Sequence, residues 1–299
     1  MKILGTGACL PETVITNKKI EGFGHSNDKW IREKLGIRER RVTWSLSSEI
    51  GYKAALDAIK DAGLEPLDID LIIVATSTPD RITPSTACII QDKMGAYSAV
   101  AFDINAVCSG FVYALALASE MASFVNVLVI GVDTFSHITD WEDRNCVFFG
   151  DGAGAAVVNS EPWRSGLSYK LGADGRGRHA FETKKGGTFQ MDGKAVYEAG
   201  TTLLPEAISK ALDLADLTIK DISWMLPHQA SINMLKDLAK KIGLPWKKVK
   251  TNMQKYGNTA AASIPILLHE SKKDFKEGNY ILCAAVGSGW TYGAIILEW

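Results

Sequence analysis

Cys108, His228 and Asn258 have the types and surroundings that suit acyl transfer. Cys108 stands where a short apolar stretch, Phe102-Asp103-Ile104, gives way to Gly110-Phe111-Val112-Tyr113-Ala114-Leu115-Ala116-Leu117-Ala118, a run with no polar face. Such a run predicts a helix buried on all sides, with the cysteine at its N-terminus and at the bottom of a cleft. The unpaired N–H groups and partial positive charge there favour the thiolate, the form that attacks a carbonyl carbon. A lone cysteine also serves as a small core filler, so the chemistry depends on what converges on it. His228, in Leu226-Pro227-His228-Gln229-Ala230, directly precedes an amphipathic stretch, whereas His25, His137, His179 and His269 lie in polar sequence. Asn258, in Tyr256-Gly257-Asn258-Thr259, precedes an alanine-rich helix. Together they form a workable set: the thiolate takes the acyl group and two N–H donors polarise a carbonyl oxygen. The segment Gly287-Ser288-Gly289-Trp290-Thr291-Tyr292-Gly293 either brings bare backbone N–H groups against that oxygen or simply turns a hairpin.

The elements that position these residues alternate between strand and helix. Strands are expected at 3–7, 71–75, 99–103, 127–130 and 155–158, and helices at 28–35, 49–62 and 84–94, with 150–154 as a tight glycine turn. The second half repeats the first. Leu71 and Cys108 are 37 residues apart, and Ile222 and Asn258 are 36 apart; Leu71 to Val127 spans 56 and Ile222 to Tyr280 spans 58. Two halves of strand, helix, strand, helix, strand place Cys108 and Asn258 at corresponding helix N-termini, with His228 at a strand end, where parallel sheets bind ligands.

Composition narrows the classes. A 299-residue chain, 46% hydrophobic, suits one compact unit of two similar halves. With 33 basic against 34 acidic residues, no overall field draws the molecule to nucleic acid or lipid. The five cysteines, Cys9, Cys88, Cys108, Cys146 and Cys283, form no C-x-x-C pair, which argues against a disulfide framework or a metal site and for a reducing, cytoplasmic location. Neither a signal peptide nor a membrane span is expected, since the longest uncharged run, 104–119, falls short of the roughly 18 residues a span needs.

The motifs 36–40, 70–76, 102–115, 149–154, 227–230, 256–259 and the glycine-rich C-terminus, in this order, resemble the β-ketoacyl-acyl carrier protein synthase III family of the thiolase superfamily. The resemblance covers nearly the whole chain. It implies an α/β, thiolase-like αβαβα layered fold with duplicated halves, 1–160 carrying the nucleophile and 161–299 carrying the histidine and asparagine. It further implies a homodimer, Cys108 as nucleophile, His228 and Asn258 as carbonyl-polarising groups, and the N–H groups of Cys108 and Ser288 as the oxyanion hole. Acyl-coenzyme A acylates Cys108 in this scheme. A malonyl thioester on an acyl carrier protein then decarboxylates and condenses with it, and no cofactor is needed beyond the coenzyme A thioester that serves as substrate. Trp30, Lys34 and Arg144 are placed around coenzyme A, and Thr83 at the far end of a partner's acyl channel, where so small a residue leaves room for medium or longer chains. Lys236, Lys240 and Lys241 share one helix by their spacing, and the resemblance makes that face a dock for the acidic carrier protein.

Some residues depart from the family pattern. Ser231 and Asn233 stand where asparagine and arginine are usual, and the stretches 119–126 and 163–191 are short. Transfer from Cys108 to a hydroxyl or amine without decarboxylation is the alternative reading. A non-catalytic partner subunit is another, although such a subunit has no need of the nucleophile.

Overall fold

The computed structural model describes residues 1–23, 26–121, 123–159 and 167–299; His25, Trp163 and the expected join between halves at 160/161 lie outside them. Nine strands of the described chain build two sheets. The first contains β1 (Lys2–Cys9), β2 (Leu71–Ala75), β3 (Val100–Ile104), β4 (Asn126–Thr134) and β5 (Asp151–Asn159), in the order β1-β5-β4-β2-β3. The second contains β6 (Leu167–Gly172), β7 (Ile222–Pro227), β8 (Tyr280–Val286) and β9 (Tyr292–Glu298), in the order β7-β8-β9-β6. Pairing senses match strand for strand. β2 runs parallel to β4 as β7 does to β8, and the remaining two pairings in each series are antiparallel.

One expected strand is missing from the second sheet. Beside β2 lies β3, in parallel, but beside β7 there is a single parallel bridge, Met225 to Val249. The segment that occupies this place, Pro245-Trp246-Lys247-Lys248-Val249-Lys250, carries a proline and three lysines where β3 has Val100-Ala101-Phe102. Such a sequence neither completes a ladder nor fits a buried sheet face.

Helices complete five layers. α1 (Ser47–Asp61) and α2 (Thr86–Met94) cover the outer face of the first sheet, packing Ile50, Ala54, Ala58 and Ile90 against Ile72, Val74, Leu128 and Ile130. α4 (Gly193–Leu214) and α5 (Ile232–Ile242) cover the outer face of the second. Between the sheets lie α3 (Gly110–Glu120) and α6 (Ser263–Ser271), whose Phe111, Leu115, Ile264 and Leu268 meet Ile73 and Val129 on one side and Ile281 and Ile295 on the other. Hence α3 has no polar face: both its sides are interior. Each such fully buried large apolar side chain contributes roughly 1.5–3 kcal/mol. The architecture is the thiolase-like αβαβα arrangement.

Two local expectations change. The glycines of 150–154 make no turn: Asp151 to Gly154 already belong to β5, and a Cβ on Gly154 would lie 2.5 Å from the Ile266 nitrogen, so bare backbone is what lets α6 rest on the strand. α2 begins at Thr86, not at Pro84, because the Asp103 carboxylate of β3 accepts the Thr86 and Ala87 N–H groups, each at 2.7 Å, and the Ser85 hydroxyl accepts from Cys88.

Candidate active site

Cys108 occupies a tight turn, Val107–Ser109, that leads into α3. Val107 has φ 47°, a left-handed conformation costly for a β-branched residue, held by its N–H to Asn105 Oδ1 at 3.3 Å. Thr291 Oγ1 and Ser109 Oγ both donate to the Ala106 carbonyl, at 3.0 and 2.7 Å. An equivalent turn, Ala260–Ala262, leads into α6; Ala260 has φ 45° and its N–H meets Asn258 Oδ1 at 2.9 Å. This geometry corrects the pairing that spacing suggested. Asn258 corresponds to Asn105, and Cys108 to Ala261. Ile222 to Ala261 spans 39 residues against 37 from Leu71 to Cys108, and the bulge in β7 between Ile222 and Trp224 supplies one of the two extra residues.

Asn258 is fixed by backbone and side chain together. Its N–H donates to Phe148 O and its carbonyl accepts from Gly150 N–H, both at 3.0 Å. With Oδ1 engaged by Ala260, the Nδ2 hydrogens are left for the chamber that Asn258 lines. Against Gly150 and Gly257 packs the wholly buried Arg40, whose guanidinium donates to Val147 O at 2.7 Å and to Asn17 Oδ1 at 2.9 Å; burial pulls its pKa down to about 10. His228 follows β7, its N–H bonded to Ala284 O at 2.8 Å and its Nδ1 2.8 Å from Ser263 Oγ. Burial alone lowers its pKa to about 4, so the ring is neutral at physiological pH.

The thiol differs from expectation. Burial, and after it the charge of Asp133, push Cys108 up, against the lowering effect of its own N–H. Burial thus favours the protonated thiol. Asp133 is itself buried and raised to about 6; its carboxylate accepts from Ala261 N–H at 3.0 Å and from the Ser77 and Thr78 hydroxyls, each at 2.9 Å.

Cys108, His228, Asn258 and Ser288 line one chamber of about 30 Å³, closed by Phe149, Phe181, Met191, Val196, Val286 and Trp290. Among the described residues, the Cys108 N–H bonds to no other residue. Gly287 approaches it so closely that a Cβ there would lie 3.1 Å from the Cys108 nitrogen and 2.6 Å from Ala106 O. Glycine is required at this point for the Ser288 segment, the β8–β9 hairpin connection, to lie against the cysteine turn. Phe135, Phe149, Phe181 and Phe189 wall this region, with Phe135 stacked on Phe149 at 4.4 Å.

From the surface a cleft of about 810 Å³ leads inward, sharing Met191, Val196, Ala230 and Asn258 with the chamber. The expected coenzyme residues Trp30, Lys34 and Arg144 all line it, as does Asn233. Thr83 is exposed and lines neither this cleft, nor the chamber, nor a third cavity of about 310 Å³ beside Val107 and Ser288. Lys236, Lys240 and Lys241 are all exposed on α5, Lys241 donating to Thr201 O at 2.8 Å; in the segment that follows, Lys250 lies over the Trp224 ring at 3.8 Å and pairs with Asp274, and Lys248 donates to the Ile222 carbonyl. Sequence reasoning missed Lys194 and Tyr197 on the cleft, and Phe181, Met191 and Val196 in the chamber. These residues come from a short ribbon (Phe181–Thr183 with Phe189–Met191) and the first turn of α4, and nothing in their local pattern marks them.

Comparison with known proteins agrees with this geometry. The family model for 3-oxoacyl-[acyl-carrier-protein (ACP)] synthase III matches residues 102–175, and that for its C-terminal part matches 212–299. The chain is 42% identical to a β-ketoacyl-[acyl-carrier-protein] synthase III of Geobacillus kaustophilus, over 99% of this chain and 98% of that one. It is 40% identical to the enzyme of that name from Clostridium tetani, over 100% and 98%. Among solved structures, 3-oxoacyl-[acyl-carrier-protein] synthase III of Aquifex aeolicus superimposes with a TM-score of 0.96 at 40% identity, covering 100% of this chain and 99% of that one.

Proposed function

The chain belongs to the 3-oxoacyl-[acyl-carrier-protein] synthase III family, and from that premise we propose that it condenses an acyl-coenzyme A primer with a malonyl-acyl carrier protein in fatty acid biosynthesis. It is a condensing acyltransferase. The observation that carries the reading is the single chamber in which Cys108, His228, Asn258 and Ser288 meet at the end of a long cleft.

In the first half-reaction Cys108 Sγ attacks the thioester carbonyl while the N–H groups of Cys108 and Ser288 hold the developing oxyanion. Because burial keeps the thiol protonated, its proton leaves as the C–S bond forms and departs on the coenzyme A thiol. Next the malonyl thioester enters. The neutral His228 and the Asn258 amide donate to its carbonyl oxygen, carbon dioxide leaves, and the enolate carbon attacks the acyl-cysteine. The β-ketoacyl thioester departs with the carrier, and the freed Cys108 thiolate takes a proton from solvent.

Around the cleft, Trp30 stacks on the adenine of coenzyme A while Lys34 and Arg144 meet its phosphates or base edges. Thr83, exposed on the single chain, acts in a homodimer at the end of the partner's acyl channel. There each further buried CH₂ adds roughly 0.8 kcal/mol until the channel ends. Lys236, Lys240 and Lys241 face the acidic carrier protein.

The test is a panel of acyl-coenzyme A thioesters, with the added mass read at Cys108, followed by release of carbon dioxide from malonyl-carrier protein. An acylated Cys108 and release of carbon dioxide in step with product support the reading. An acyl-enzyme discharged only by hydroxyl or amine acceptors, with malonate intact, moves the protein to non-decarboxylative transfer, and no acylation of Cys108 overturns both.

A further inference from the structure

The His228 ring must present N–H, not a lone pair, if it is to polarise a carbonyl, and a neutral imidazole has only one ring proton to place. Its Nδ1 faces Ser263 Oγ at 2.8 Å, in a fully buried contact. The same hydroxyl lies 2.9 Å from the Ala260 carbonyl and 3.5 Å from Gln229 N–H. One hydroxyl hydrogen therefore has two acceptors. Given to Ala260 O, it leaves Ser263 accepting Nδ1–H, and Nε2 turns a lone pair to the substrate. Given to Nδ1, it puts the ring proton on Nε2. The second arrangement leaves no orphan, because Ala260 O already accepts the Ser263 backbone N–H.

We propose that Ser263 is a positioning residue that sets the His228 tautomer, its hydroxyl donating to Nδ1 so that Nε2–H faces the malonyl carbonyl. The inference rests on the condensing reading above. The sequence supports no such role, since Ser263 lies 35 residues from His228 and follows three alanines. The contact forms because the turn at Ala260–Ala262 swings the start of α6 beneath the end of β7.

Three variants test this: Ser263→Ala, Ser263→Thr and His228→Ala. In Ser263→Ala the maximal rate of condensation should fall about tenfold, with KM for malonyl-carrier protein and the rate of Cys108 acylation unchanged; Ser263→Thr, which keeps a hydroxyl, should recover most of it. In protein labelled with ¹⁵N-histidine, the ring signals absent from His228→Ala identify His228. They should report Nε2–H in the wild type and shift toward a mixture of tautomers in Ser263→Ala. Unchanged His228 ring signals, or a Ser263→Ala variant that condenses at full rate while His228→Ala does not, overturn the inference and leave the functional reading standing. A His228→Ala variant that condenses normally overturns the functional reading itself.

Discussion

The turns at residues 105–109 and 258–262 are built alike: each opens on an asparagine whose Oδ1 accepts an N–H two residues on, passes through a left-handed residue, and feeds a helix buried between the sheets. They differ in what the next N–H meets. Ala261 N–H donates to the carboxylate of Asp133 in β4, whereas Cys108, which lines the chamber, has an N–H that bonds to no other described residue. The strand registers explain the difference. Ala75 pairs with Gly131 and Pro227 with Ala284, so the residue of β8 that corresponds to Asp133 is Val286. One half thus fills its turn with a protein oxygen and gains a tie between sheets; in the other the same donor has no such protein partner among the described residues, as the proposed oxyanion hole requires.

The sharpest break is chemical. Cys108→Ala should abolish acylation, by about 10⁴-fold or more, with no acyl mass at any other residue in intact-protein mass spectrometry. Ala261, which holds the equivalent position in the other turn, offers no substitute nucleophile. Val286→Asp should make the open turn resemble the filled one. A carboxylate at that point occupies the oxyanion position, and acylation should slow about a hundredfold while the circular dichroism spectrum is kept. Acylation at the wild-type rate would end the correspondence between Asp133 and Val286.

Asn258→Ala separates the two asparagines by task. Condensation should drop about a hundredfold with acylation within about threefold, because in the proposed mechanism its Nδ2 donates only to the malonyl carbonyl; equal losses in both half-reactions would refute this division.

Titration provides a smaller difference. His228 falls from 6.5 to about 4 on burial, so between those values the unfolded chain binds more protons than the folded one. Stability held above pH 6.5 is then lost as pH falls toward 4, by about 2 kcal/mol at pH 5. Asp133, raised from 3.8 to about 6, acts in the opposite sense, its contribution falling as pH rises through 6. The His228→Ala protein should therefore lose less stability than wild type between pH 8 and pH 5 in urea unfolding. Matching pH profiles would show that the buried ring does not titrate as described.

The smallest effect concerns the outer helices. α2 ends with one lysine, Lys93, whereas α5 of the second half has Lys236, Lys240 and Lys241. Reversing charge at Lys236 and Lys240 should weaken activity with carrier-bound malonate about threefold and flatten its salt dependence, with free acyl-coenzyme A acylation unaffected. Lys241, tied to Thr201 O, should matter less.

The sequence by itself determined the alternation of strands and helices, the buried helix behind Cys108, and the three residues that meet in the chamber. These follow from local pattern: an apolar run without a polar face, and histidine and asparagine set just before helices. The family resemblance supplied their expected roles. Only the tertiary structure decided the rest. It showed that the repeat lacks its middle strand, that Asn258 answers to Asn105, and that the glycines of β5 make room for a helix. The proton on the Cys108 thiol, the Asp133 tie and the Ser263 contact depend on burial and on atoms far apart in the chain. Desolvation is a property of the packed neighbourhood, and no window of sequence contains it.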